Sequence, residues 1–117
     1  MIPDYAFPDC ESLVSVRIPA TVTSVGNFAF SYCEALTSIT LPDSLQNIGP
    51  YAFNHCEALT SVTVPEGISA INMCAFRFCR HLTSVTLPST IIAIKANAFA
   101  NCTALEEIMS SICRAPA

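Results

Sequence analysis

The side chains in this 117-residue chain that could do chemistry are seven cysteines, two histidines and a column of glutamates. Five cysteines, Cys10, Cys33, Cys56, Cys79 and Cys102, recur every 23 residues, each opening a Cys-x-x-Leu phrase. His55 directly precedes Cys56 and His81 follows Cys79 by two, so a Cys-His nucleophile is the catalytic unit these types would build. No repeated carboxylate stands beside the histidines to complete it, and surface turn residues are the expectation for both. One cysteine per period makes a line of thiols, whereas zinc needs four ligands converging on a point.

A reduced, buried column of small core fillers is therefore expected. Neighbouring cysteines are close enough in Cα distance for a bridge, but their parallel side chains disfavour the disulfide dihedral. Cys74 and Cys113 fall outside the column and are the two expected to be exposed or paired. Glu11, Glu34 and Glu57 follow three of the cysteines and read as a solvated edge or as a weak stripe for a cation or a basic partner. Arg80 at the next equivalent position relieves their repulsion. With no glycine-rich phosphate loop and no metal signature, neither a cofactor nor an enzymatic activity is expected.

The elements that must position these residues are repeats. Ala-Phe precedes every column cysteine at one offset, as Ala6-Phe7, Ala29-Phe30, Ala52-Phe53, Ala75-Phe76 and Ala98-Phe99. A period of this length marks stacked coils that bury apolar side chains between neighbours. The domain is read as a single unit, 1–117, with coils at 1–18, 19–41, 42–64, 65–87 and 88–110 and a tail at 111–117. After each Cys-x-x-Leu the chain alternates, as in Leu36, Ile39 and Leu41, which predicts a short strand stacking in parallel on its equivalent one coil away. Pro19, Pro42, Pro65 and Pro88 close these strands. Val22/Val25, Leu45/Ile48, Ile68/Ile71 and Ile91/Ile94 supply a second inward ledge from extended or turn backbone. Gly26 and Gly49 suggest a tight or left-handed position. The Ala-Phe-x-x-Cys segment is expected to form one helical or 3₁₀ turn with Phe as the bulkiest core layer.

Composition bounds the partners. Apolar residues make up 52% and charged residues 12% of the chain, too apolar for disorder, and the net charge is −4. The five bases form no run or stripe, so nucleic acid is not an expected partner. No apolar run reaches membrane-spanning length, so no direct membrane insertion is expected. Met1 to Asp9 does not resemble a secretory signal.

The unit I-G-x-x-A-F-x-x-C-x-x-L-x-x-I-x-L-P-x-x-x-x-x-I, carried by residues 2–108, closely resembles the BspA-like (Treponema pallidum-type) class of leucine-rich repeat. The resemblance implies an α/β solenoid: a right-handed horseshoe fragment with short parallel strands on the concave face and turns or 3₁₀ segments on the convex side. It also implies a non-enzymatic protein- or glycan-binding module of a cell-surface or secreted adhesion or recognition protein. The missing signal leaves a cytoplasmic location open, and uncapped end coils allow end-to-end self-association.

The outward strand positions are the candidate binding residues: Ser15, Arg17, Ser38, Thr40, Ser61, Thr63, Ser84, Thr86, Glu107 and Met109. They would make a broad, hydroxyl-rich, nearly uncharged platform. Two other readings compete with a binding face: β-forming residues that keep the strands of a purely structural spacer soluble, and, more distantly, an ice or mineral surface, which a curved face fits badly.

Overall fold

The computed structural model describes residues 1–7, 9–105 and 107–110, the last four by backbone alone. In chain order the strands are β1 (Ser15–Arg17), β2 (Ser24–Val25), β3 (Ser38–Thr40), β4 (Asn47–Ile48), β5 (Ser61–Thr63), β6 (Ala70–Ile71), β7 (Ser84–Leu87), β8 (Ala93–Ile94) and β9 (Glu107–Ser110). Odd-numbered strands arise from the alternating stretches, and even-numbered ones from the apolar pairs after each proline. Every pairing is parallel and joins equivalent residues of successive coils, as Ser15 with Ser38, Ser61 with Ser84, and Ser84 with Glu107. The result is a parallel β-solenoid measuring 40 × 30 × 22 Å.

The core is a set of columns. Phe30, Phe53 and Phe76 are completely enclosed, and the column from Phe7 to Phe99 stacks face to face at centroid spacings of 5.2–5.5 Å. Phe7 at one end remains 43% exposed, because no coil covers its outer face. Leu36, Leu59 and Leu82 and the pairs Leu45/Ile48 and Ile68/Ile71 complete the interior.

The expectation of an α/β solenoid with helical or 3₁₀ turns is overturned: among the described residues there is no helix. The backbone hydrogen bonds of the Ala-Phe segment give the reason. Ala29, Ser31 and Cys33 donate to Gly26, Phe28 and Phe30, each three residues back, at 3.2–3.3 Å. The intervening amides of Phe28, Phe30 and Tyr32 turn outward to the next coil, bonding Pro50, Ala52 and Asn54 at 2.8–3.2 Å. A 3₁₀ helix needs consecutive bonds within the segment. Here every second donor ties two coils together, and the turn edge becomes a third inter-coil ladder.

This alternation places two left-handed residues in each coil: Tyr5 and Asp9, Phe28 and Tyr32, Tyr51 and His55, Cys74 and Phe78, and Asn97 and Asn101, with φ between 56° and 64°. Asp and Asn tolerate that region; aromatic side chains occupy it at a cost of about 1–2 kcal/mol each. Of the tight or left-handed position expected at Gly26 and Gly49, the left-handed alternative is overturned, since no glycine has positive φ. Gly26 and Gly49 are needed for close approach: a Cβ on Gly26 would come within 2.5 Å of the Asp4 backbone nitrogen, and one on Gly49 within 2.8 Å of that of Asn27.

One junction is built differently. β1 pairs with β3 and β2 with β4, while β5, β7 and β9 form one sheet and β6 and β8 another, so neither ladder is continuous between residues 38–48 and 61–71. The bonds from Ile18 to Thr40 at 3.2 Å and from Val64 to Thr86 at 2.9 Å have no counterpart from Leu41 to Thr63. The residues at this junction account for the gap. Asn72 takes the place of Gly26, Gly49 and Lys95, and there the side-chain amide, in place of the backbone amide, bonds the Ile48 carbonyl. Gly67 lacks the hydroxyl with which Ser44 and Thr90 reach the carbonyls of Val22 and Ile68. On the turn edge the bonds run unbroken, with Phe30 to Ala52 and Phe53 to Ala75 both 2.8 Å.

Candidate functional site

The strand face presents the predicted columns. Ser15, Arg17, Ser38, Thr40, Ser61, Thr63 and Thr86 are exposed and Ser84 is half-buried, because each strand alternates around a middle residue turned into the core. Glu107 and Met109 continue the two columns in register with Ser84 and Thr86. Arg17 stands beside Thr40.

A second threonine column lies at the entrance to these strands and is already engaged. Thr37, Thr60 and Thr83 donate their hydroxyls to the carbonyls of Val14, Thr37 and Thr60 at 3.1–3.5 Å. Among the described residues the hydroxyls of Ser38, Thr40, Ser61 and Thr63 have no such partner, so they are free to meet another molecule. They converge on the interrupted junction. There a shallow groove of about 330 Å³ is lined by Ser38, Thr40, Asp43, Ser61, Thr63 and Pro65. Asp43 is the charged residue of this lining, so the groove offers hydroxyl donors and acceptors, one carboxylate, and a Leu41 amide that has no backbone partner among the described residues.

The thiol column is structural. Cys33, Cys56, Cys79 and Cys102 are free, and each sulfhydryl donates to the carbonyl of the phenylalanine 26 residues earlier, at 3.0–3.3 Å. Burial pushes the Cys33 thiol up to about 11 and that of Cys56 higher still. The neighbouring Cys102 thiol and burial raise the Cys79 thiol, while Cys102 is lowered by the same neighbour interaction. Neutral buried thiols are poor nucleophiles. Cys74, expected to be exposed or paired, is free and buried, and Cys113 lies outside the described residues.

The histidines serve the turn edge. His55 is stacked between Tyr32 and Phe78, with centroids 4.4 and 4.3 Å away, and its Nδ1 lies 3.3 Å from Glu57 Oε2. His81 Nδ1 donates to the Glu57 carbonyl at 2.6 Å. A second stack runs through Tyr5, Phe28 and Tyr51 at 5.0 and 4.6 Å. Beyond Phe78, Arg77 and Arg80 place guanidinium carbons 4.7 and 5.2 Å from the ring centre. Sequence reasoning treated these residues singly; the signal was the column Asp9, Tyr32, His55, Phe78 and Asn101, three of whose five members are aromatic or imidazole rings.

The model of the BspA type leucine-rich repeat region matches residues 1–112 in six copies. The crystal structure of the T. pallidum leucine-rich repeat protein is similar at 34% identity and a TM-score of 0.88, over 92% of this chain and 50% of that one. A leucine-rich repeat protein from Bacteroides ovatus is similar at 25% identity with a TM-score of 0.52, over 92% of this chain and 40% of that one. One from Eubacterium ventriosum shares the fold at 20% identity and a TM-score of 0.68, over 92% and 36%. A search of curated protein sequences finds no match. The chain thus spans about half the length of the T. pallidum protein and less of the other two. With a repeat match over nearly its whole length and columns in register throughout, the chain belongs to the BspA-type leucine-rich-repeat family, a non-enzymatic solenoid frame.

Proposed function

We propose that the strand face is a binding surface for a protein or glycan partner, centred on the groove between β3 and β5, and that the chain is part of a cell-surface adhesion or recognition protein. The observation that carries this reading is the contrast between neighbouring hydroxyl columns. Thr37, Thr60 and Thr83 spend theirs on carbonyls, whereas Ser38, Thr40, Ser61 and Thr63 hold theirs outward around an opening in the ladder. Family membership supports the surface location. The face lacks the aromatic and arginine anchors that dominate tight interfaces, so one module binds weakly and several coils together supply avidity.

The test is an array of extracellular-matrix proteins and glycans probed with the chain and with its Thr40→Glu/Thr63→Glu variant. Any partner captured by the wild-type chain should be lost by the variant, which places two carboxylates beside Asp43. Equal capture by both removes the strand-face reading. Capture of nothing by either indicates a structural spacer.

A further inference from the structure

We infer that the turn edge carries a second docking surface, made by Arg77, Arg80 and the Tyr32–His55–Phe78 stack, for an acidic peptide segment with an apolar residue beside its carboxylates. Four bases stand among the described residues, Arg17, Arg77, Arg80 and Lys95, in a chain of net charge −4. Two of them are gathered on one phenylalanine ring. Among the described residues neither guanidinium lies within ion-pairing distance of a carboxylate, and the one contact of that length is between His55 Nδ1 and Glu57 Oε2. A guanidinium held near an aromatic ring loses little freedom when a carboxylate takes its N–H fork in bidentate fashion.

The neighbouring charges select the occupant. Glu34, exposed, and Glu57, half-buried, flank the stack and repel a dense polyanion such as a sulfated polysaccharide. One or two carboxylates can meet the arginines without meeting those glutamates. His55 is covered by a ring on both faces, whereas Tyr32 stacks on His55 alone and is 42% exposed at the end away from the arginines. That exposed tyrosine accepts an apolar side chain of the same peptide.

The experiment titrates the full chain against a fluorescein-labelled peptide carrying two glutamates and a leucine in a glycine-serine background, read by fluorescence anisotropy at low and moderate salt. Binding is expected, weakening as salt rises. Arg80→Gln, at an exposed position, should reduce affinity by roughly tenfold, and Arg77→Gln/Arg80→Gln further. Arg80→Lys should recover only part of the loss, since lysine supplies charge without the planar fork. Lys95→Gln and Thr40→Glu/Thr63→Glu should leave peptide binding unchanged, which separates this surface from the strand face. No binding by the wild-type chain, equal binding by the double arginine variant, or an equal loss in Lys95→Gln would overturn the proposal. Binding of heparin without binding of the peptide would overturn it in favour of a polyanionic glycan.

Discussion

The side-chain amide of Asn72 donates to the carbonyl oxygen of Ile48 at 2.6 Å, at a position where Gly26, Gly49 and Lys95 use their backbone amides. Asn72→Ala is expected to leave that carbonyl unpaired in a half-buried setting and to lower stability by about 1–3 kcal/mol. Asn72→Gly restores the residue type that permits close approach, lets the backbone amide take the carbonyl, and should lose less. Urea denaturation of both variants checks this ordering; equal stability of Asn72→Ala and wild type would show that the bond does not hold the junction.

At Tyr32 the backbone and the side chain pull in opposite directions. Its φ of 64° is costly for an aromatic residue, while its ring stacks on His55 at 4.4 Å. Tyr32→Ala loses the stack and keeps the strain, whereas Tyr32→Gly loses the stack and relieves it. The glycine variant should therefore be the more stable of the two by about 1 kcal/mol, the reverse of the order in an ordinary element. Thermal melts of the pair decide the matter.

The phenylalanine column sets a gradient. Phe53 is fully enclosed between Phe30 and Phe76, each 5.3 Å away, whereas Phe99 is half-buried at the column's end. Phe53→Ala should cost about 3–5 kcal/mol, and Phe99→Ala clearly less. Comparable denaturation midpoints for the two would contradict a core built coil on coil.

The repeat, the parallel register and the outward serine and threonine columns were legible because they are periodic, and one alignment of the chain on itself exposes them. The turn edge was misread because Ala-Phe-x-x-Cys has the spacing of a helical turn, and spacing alone does not say where amides point. Alternate donors leave for the next coil, an outcome visible only once the coils are stacked. Gly26 was read on propensity as a tight or left-handed position, while the left-handed positions went to residues such as Phe28 and Tyr32 that propensity argues against. The groove was hidden for a related reason: it arises from departures, Asn72 for glycine and Gly67 for a hydroxyl, that a consensus averages away.

The thiol column makes stability fall at high pH. Burial raises the Cys33 thiol from 9.0 to about 11 in the folded chain and raises Cys56 as well, and the neighbouring Cys102 thiol together with burial raises Cys79. Well below pH 9 the Cys33, Cys56 and Cys79 thiols are protonated in both states and add no pH dependence. Between 9 and 11 the unfolded chain releases protons that the folded chain retains, so stability declines as pH rises through this window. Denaturation midpoints measured across it should fall steadily, and a Cys56→Ala variant should show a shallower slope. Iodoacetamide at neutral pH, followed by peptide mapping, should label Cys102 well before Cys56.

The interrupted ladders also give the solenoid a mechanical character. Two of its three inter-coil seams are thinned at one level, where bonds such as Thr60 to Thr37 and Asn72 to Ile48 still cross. The turn edge is stitched continuously, so that edge is the stiffer side and the strand seam the more compliant one. A tensile load along the axis would be shared unevenly: the stacked phenylalanines would carry it, and the β3/β5 gap would widen first. A module built in this way yields by bending before any coil is lost, and its strain is concentrated at the groove where a ligand would sit.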